Sequence, residues 1–168
     1  GAPASAYNAR AEVTHALVQY LLGNGDYSIA IGHNMKVYGT PDIGLIPVGY
    51  DFDFSGWVGA PYARISSGVG QRSIYERVYL GYAQDPAIMH DVADHLLSKE
   101  AAVLDLIGSF SLLPAKPRRT LRRFAAGFFR DLANMNDRGG WSLYEQLREA
   151  NHSAYPIGAE EENFRSKK

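Results

Sequence analysis

Five residues that could take part in chemistry lie close together in the segment 23–56: Asp26, His33, Asn34, Asp51 and Asp53. Asp51 and Asp53 are two residues apart, so on an extended segment both carboxylates point to one side and repel each other unless a cation or an arginine lies between them. Asn34 supplies an amide oxygen, a hard ligand that suits Mg²⁺ or Mn²⁺. Asp26, in a loop, could accept a proton from a substrate hydroxyl. The pattern predicts a Mg²⁺–phosphate site whose metal ligands are Asn34, Asp51 and Asp53, with Asp26 as the base. His33 is interpreted as a structural loop residue that hydrogen-bonds the backbone.

The elements that must position these residues are predicted from spacing and turn signals. Apolar residues recur at helical spacing up to a glycine, Gly23, that should end the first helix. Two short apolar runs around a Thr-Pro-Asp turn predict a β-hairpin, and a loop rich in glycine and proline follows. The predicted segments are a helix at 8–22, strands at 35–38 and 43–48, a loop at 51–70, and helices at 73–82, 117–136 and 141–150. A further helix begins at 86, and residues 101–110 continue or restart it. Strands do not alternate with helices, so the predicted fold class is α+β, mostly α-helical.

Composition limits the classes of function. The chain has 168 residues, of which 46% are hydrophobic and 21% are charged, which predicts one globular domain with a core. A net charge of −1 gives no reason to expect nucleic acid or an anionic membrane as partner. The absence of cysteine excludes disulfides, thiolate zinc sites and cysteine nucleophiles. No apolar run reaches about 18 residues, so no membrane span is expected. Residues 1–7 are expected to be an expression scar or a cut end, 8–155 a single domain, and 156–168 a polar tail.

The order of the candidate residues resembles the catalytic half of the protein-kinase fold. In that fold a helix precedes a loop Asp, an Asn follows, and a hairpin leads to a second Asp. Here these are Asp26, Asn34 and Asp51, and the segment Asp51-Phe52-Asp53 looks like the kinase Asp-Phe-Gly segment with Asp53 in place of glycine. The stretch is most similar to atypical bacterial kinase-like proteins, namely the spore-coat CotH kinases and the HipA-type toxin kinases. It also resembles bacterial proteins that share the signature GN-x-D…HN-x-K…PYDFDFSGLV-x-APYA.

The resemblance implies a kinase-like C-lobe and Mg²⁺-ATP-dependent phosphotransfer to an unknown acceptor. Asp26 would position the acceptor as the catalytic residue, Asn34 and Asp51 would bind the metal and the nucleotide, and Asp53 would be a further ligand. Seven residues separate Asp26 from Asn34, whereas the usual kinase loop has about four. No glycine-rich strand turn and no strand lysine for ATP precede the first helix. The expectation is therefore a catalytic half that lacks the N-lobe and is inactive alone.

Two other classes of function stay open. An apolar strand that ends in Asp-x-Asp also resembles the first motif of haloacid-dehalogenase phosphatases, in which Asp51 would be the nucleophile and Asp53 the acid/base. That fold needs alternating strands and helices, which the helical second half does not offer. The third possibility is a non-catalytic interaction domain.

Four further groups of residues outside this stretch are interpreted as structural. His90 and Asp94, like Asp91 and His95, are four apart and so share a helix face, which we read as solvated rather than metal-binding. Five arginines on one long helix are read as a solvated stripe rather than a phosphate site or an acidic-partner site: Arg118, Arg119, Arg122, Arg123 and Arg130. Three tyrosines, Tyr75, Tyr79 and Tyr82, are expected to be half-buried with their hydroxyls outward. Two arginines, Arg72 and Arg77, are expected to pair with the carboxylates of the acidic loop.

Overall fold

The computed structural model describes residues 2–137 and 142–150. It contains a two-stranded antiparallel sheet and five α-helices within those residues, so the predicted α+β, mostly helical class is confirmed. The elements are α1 (Ala9–Leu22), β1 (Met35–Thr40), β2 (Gly44–Gly49), α2 (Pro86–Leu97), α3 (Glu100–Ser109), α4 (Ala115–Asn136) and α5 (Leu143–Ala150). Short 3₁₀ turns lie at Ala4–Ala6 and Ser67–Val69. The predicted tail at 156–168 and the predicted first residues of the last helix, at 141, lie outside the described residues.

Helix α1 begins and ends where its local signals predict. The side chain of Asn8 accepts a hydrogen bond from the backbone N–H of Ala11 at 3.0 Å, which satisfies one of the free donors of the first turn. Gly23 ends the helix with a φ of 63°, a left-handed conformation that glycine adopts without a Cβ clash. The position of Gly23 matters because the loop that carries Asp26 starts there.

The hairpin is docked on the start of α1. Strand β1 pairs with β2 from Met35 opposite Gly49 to Thr40 opposite Gly44. The backbone N–H of Asn8 donates to the carbonyl of Leu45 at 2.9 Å, which attaches the outer edge of β2 to the residue that caps α1. This contact fixes where the two ends of the hairpin lie relative to the helix.

The predicted helix at 73–82 is wrong, because this segment is a turn followed by an extended run. Its extended part packs against α1: the backbone N–H of Tyr82 donates to the buried Glu12 carboxylate at 3.0 Å. At Gly81 a Cβ would lie 2.6 Å from the Cβ of Ala16, so the backbone approaches the helix closely. These long-range contacts with α1 replace the hydrogen bonds that a helix would make within itself.

The helices enclose the larger of two hydrophobic clusters. Phe128 and Leu132 of α4 and Leu17 of α1 are fully buried there, and the ring of Tyr20 lies 6.2 Å from that of Phe128. The fully buried Tyr79 packs edge-on against Tyr20, so its predicted half-buried position with the hydroxyl outward is wrong. The smaller cluster lies under the hairpin and contains Tyr7, Tyr27, Ile29 and Met35. Within the described residues no helix is both long enough and apolar enough to cross a bilayer.

Candidate functional site

The loop after α1 brings Asp26 and Asn34 together. The side-chain Nδ2 of Asn34 donates to the backbone carbonyl of Asp26 at 2.8 Å and to its Oδ2 at 3.0 Å. Ser28 and His33 exchange two backbone hydrogen bonds, at 3.1 and 3.0 Å, which close the intervening loop. Two predicted site residues that are eight apart in sequence are thus hydrogen-bonded to each other.

The His33 ring also faces this carboxylate. Its Nε2 lies 3.4 Å from Oδ1 of Asp26, and the side chains of His33 and Asp26 are 51% and 28% exposed. The bonds between His33 and Ser28 involve backbone atoms, whereas the imidazole lies against the Asp26 carboxylate, so the predicted bond from this side chain to the backbone stays a prediction. One carboxylate oxygen of Asp26 thus accepts a hydrogen bond from an amide, and the other lies beside an imidazole.

The hairpin places Asp51 beside this pair. The backbone N–H of Tyr50 donates to the carbonyl of Asn34 at 3.0 Å, which extends the strand pairing by one step. Asp51 follows directly, with a φ of 58°, and Asp53 lies in a tight turn closed by the N–H of Ser55 and the carbonyl of Phe52 at 3.0 Å. The strand pairing therefore places Asn34, just before the hairpin, close to Asp51, just after it.

The acidic residues influence one another electrostatically. A hydrogen bond with Asp53 and its negative charge raise the pKa of Asp51, and slight desolvation and the charge of Asp26 act in the same direction. A raised pKa means that the two carboxylates resist being charged together, which a proton or a cation would relieve.

The candidate ligand atoms are carboxylate and amide oxygens, which are of the type that Mg²⁺ prefers, but they do not by themselves complete a coordination shell. Within the described part of the chain no three His, Asp or Glu side chains converge closely enough to hold a metal ion by themselves. Mg²⁺ commonly takes one or two carboxylates and completes its shell with water and phosphate oxygens. Because Nδ2 of Asn34 donates to Asp26, Oδ1 is the side-chain atom of Asn34 that remains to act as a neutral ligand.

A row of hydrogen-bonded polar side chains connects α1 to the loop that carries Asp26. None of them was predicted from the sequence to have a role. Asn24, which is 1% exposed, donates to Oε1 of Gln19 at 2.9 Å and accepts from the backbone N–H of Asp26 at 2.9 Å. Gln19 in turn approaches His15 at 3.5 Å. Asn24 between two glycines was visible as part of the signature, and Gln19 could have been noticed as a polar residue one turn before a helix end. These hydrogen-bonded side chains connect Asp26, the candidate catalytic residue, to the core-facing side of α1.

An open groove of about 550 Å³ runs between α1 and β2 and reaches the acidic loop at Phe52. Its walls include Val18, Ile46 and Val48, and its floor includes His15. Burial lowers the pKa of His15 to about 4, so the imidazole is neutral at pH 7. The groove is therefore mainly apolar and carries a neutral hydrogen-bonding ring.

The histidine–aspartate pattern on α2 was predicted to be a solvated face; Asp91, Asp94 and His95 are exposed, and residues of the pattern also bond to neighbouring helices. Nδ1 of His90 lies 2.6 Å from Oδ1 of Asn136, and the amide of Asn136 donates to Asp94 at 2.6 Å. Asp91 forms an ion pair with Arg10. These contacts join α2 to α4 and to α1.

The two arginines that were expected to neutralise the acidic loop have other partners, so that prediction is wrong. Arg72 forms an ion pair with Glu76 at 2.5 Å. Arg77 stacks on the Phe124 ring, 3.8 Å from its centroid, and donates to the carbonyl of Phe124 at 2.6 Å. Among the described ion pairs, none joins an arginine to Asp51 or Asp53.

No known protein family has a model that matches this chain, and no curated protein and no solved structure is significantly similar to it. The kinase-like resemblance therefore stays a prediction.

Proposed function

We propose that this chain is the catalytic half of an atypical kinase-like phosphotransferase that uses Mg²⁺ and ATP. The observation that carries the proposal is the meeting of Asp26, Asn34 and Asp51 at one end of the hairpin, through the bonds from Asn34 to Asp26 and from Tyr50 to Asn34. These residues arrive from two separate loops, and the order is the one that the kinase-like resemblance implies. Their convergence supports a single site over three unrelated turns.

In the proposed site, Asp51, Asp53 and Oδ1 of Asn34 would hold Mg²⁺. A bound Mg²⁺ would neutralise charge on the phosphate groups of ATP. Asp26 would orient the hydroxyl of the acceptor and take its proton, and the hydrogen bond from Asn34 orients the Asp26 carboxylate. Metal binding is the property to test first, because it depends on Asn34, Asp51 and Asp53 and needs neither nucleotide nor acceptor.

The phosphatase alternative gains no support from the fold. It needs a sheet in which strands alternate with helices, and the described residues form one antiparallel hairpin followed by helices. Asp51 follows the second strand of that hairpin rather than a strand of a parallel sheet.

The test is a titration of Mn²⁺ into ¹⁵N-labelled protein, followed by paramagnetic broadening of backbone amide signals. We expect broadening centred on residues 26, 34 and 51–53, and its loss in Asp51→Asn. Asparagine tolerates the left-handed backbone of Asp51 and removes the repulsion with Asp53, so this variant should stay folded. Asp105→Asn, which changes an exposed carboxylate on α3, is the matched control and should leave the broadening unchanged. Broadening that is scattered, or equal in both variants, would refute the metal site and leave the interaction-domain interpretation.

A further inference from the structure

A cluster of exposed apolar side chains lies where α3 turns into α4. Leu112 is 85% exposed, Leu106 67% and Phe110 49%, and together we call them the apolar tip. Single exposed apolar residues are ordinary on protein surfaces, but several within seven residues of one turn form a patch. Leu112 lies in the connection between the two helices, where the chain reverses direction.

Basic side chains follow the apolar tip in the chain, at the start of α4. Five of them occur in eight consecutive residues at the start of α4, and we call them the basic collar: Lys116, Arg118, Arg119, Arg122 and Arg123. Nη1 of Arg118 donates to the carbonyl of Phe110 at 3.2 Å, and Nε of Arg122 donates to the carbonyl of Leu104 at 3.4 Å. These two bonds attach the collar to the end of α3 that carries the tip.

The collar is a local excess of positive charge on a protein of net charge −1. Across residues 2–137 and 142–150, no collar side chain forms an ion pair with a carboxylate, whereas Arg130 further along the same helix pairs with Asp131. The sequence alone favoured a solvated stripe, because it did not reveal that apolar side chains of the preceding turn are exposed beside it. Apolar residues that project from a turn, next to clustered Lys and Arg, fit the interface of an anionic bilayer.

We propose that the apolar tip and the basic collar form a peripheral binding surface for membranes that contain anionic lipids. Leu112 and Phe110 enter the boundary between headgroups and acyl chains, and the collar binds the headgroup phosphates and carboxylates. A nucleic acid would use the collar without needing Leu112. A peptide partner would be expected to bind a concave apolar site rather than a projecting turn. This surface lies on other elements than the proposed phosphotransfer site, and it does not depend on that function.

The experiment is flotation of the full 168-residue chain with vesicles of phosphatidylcholine alone and of phosphatidylcholine mixed with phosphatidylserine. We expect binding to the anionic vesicles only, and weaker binding as salt is raised. Leu112→Ser should weaken binding by roughly tenfold, because it removes one leucine side chain from the bilayer boundary. Ile31→Ser is its matched control, since Ile31 is 80% exposed in the loop after α1, and it should bind like the wild type.

The charge contribution is tested separately with Arg119→Gln and Arg123→Gln, each expected to weaken binding by about fivefold. Arg64→Gln, at an exposed arginine outside the collar, should have no effect. Heparin serves as a soluble polyanion in a parallel binding assay. Heparin binding that needs the arginines but not Leu112, without vesicle binding, would overturn the proposal and show a polyanion site. An absence of vesicle binding, or vesicle binding that Leu112→Ser leaves unchanged, would overturn it as well.

Discussion

The substitution Asn24→Ala tests whether the candidate site is held in place from the core. Asn24 and its partner Gln19 are each 1% exposed, so water cannot replace the hydrogen bonds that the asparagine makes. The substitution removes the bond to Oε1 of Gln19 and the bond from the N–H of Asp26, both 2.9 Å. Losing the part-buried bond from the N–H of Asp26 costs about 1 kcal/mol, and leaving the buried Oε1 of Gln19 without its partner costs about 1–3 kcal/mol. We therefore expect the free energy of unfolding to fall by about 2–4 kcal/mol.

Urea denaturation measures this loss, and amide hydrogen exchange measured by NMR reports on the loop. In Asn24→Ala the amide proton of Asp26 should exchange faster, because its acceptor is gone. Asn24→Asp keeps an acceptor for that proton and places a carboxylate against Oε1 of Gln19, so stability should fall while exchange at Asp26 stays slow. Asn134→Ala, at an exposed position of α4, is the matched control and should change stability by less than about 0.5 kcal/mol.

The result that would refute this reasoning is a loss of less than about 0.5 kcal/mol in Asn24→Ala, equal to that of the control. Gln19 would then find another partner, and the polar chain would not position the loop. Faster exchange at Asp26 in both Asn24 variants would also contradict the assigned bond.

Three further predictions concern stability and are measured by urea denaturation. The pKa of His15 is lowered by burial to about 4, from an ordinary value of about 6.5 when unfolded, so its neutral form stabilises the fold above about pH 6.5 and this contribution is lost as pH falls toward about 4. Over that pH range the free energy of unfolding should fall less in His15→Gln than in the wild type, and the difference should reach about 3 kcal/mol. In His95→Gln, at an exposed site, the free energy of unfolding should change with pH as in the wild type. Phe128→Ala should cost about 3–5 kcal/mol, because Phe128 is fully buried in the larger cluster; a cost below about 1 kcal/mol would contradict that packing. Gly32→Ala, at a φ of 69° with open space, should cost about 1 kcal/mol, and Gly23→Ala should cost more, because its Cβ would lie 2.9 Å from an aromatic ring. Equal costs at the two glycines would show that the ring moves aside freely.

Sequence signals that act within one or two helical turns were sufficient to predict helix ends. Gly23 ends α1 and Pro86 begins α2, as predicted, whereas Asn8, predicted to be the first residue of α1, caps that helix instead. The extended segment after residue 76 was missed because Glu12, seventy residues earlier in the chain than Tyr82, decides its backbone bonding. No local pattern reports a partner that distant in sequence.

The candidate site shows the same division. The order of Asp26, Asn34 and Asp51 could be read from the sequence, and their meeting followed from predicting one hairpin between them. The partners of Arg72 and Arg77 could not be read from the sequence, because several carboxylates or carbonyls along the chain were within reach of each arginine. Tertiary packing chose Glu76 and the carbonyl of Phe124.

The backbone gives an independent reason to look for chemistry at the hairpin end. Among the described residues, Asn34 and Asp51 are the non-glycine residues with positive φ, at 51° and 58°. Glycine would fit such a backbone with less strain, although Asn and Asp tolerate it better than other residues do. For Asn34 the side chain has a visible structural use, since its amide binds Asp26. For Asp51 the carboxylate accepts a hydrogen bond from the backbone of Asp53 and is at the same time opposed by the negative charge of the Asp53 side chain. A bound cation would relieve the repulsion between Asp51 and Asp53, and the Mn²⁺ titration shows whether one binds there.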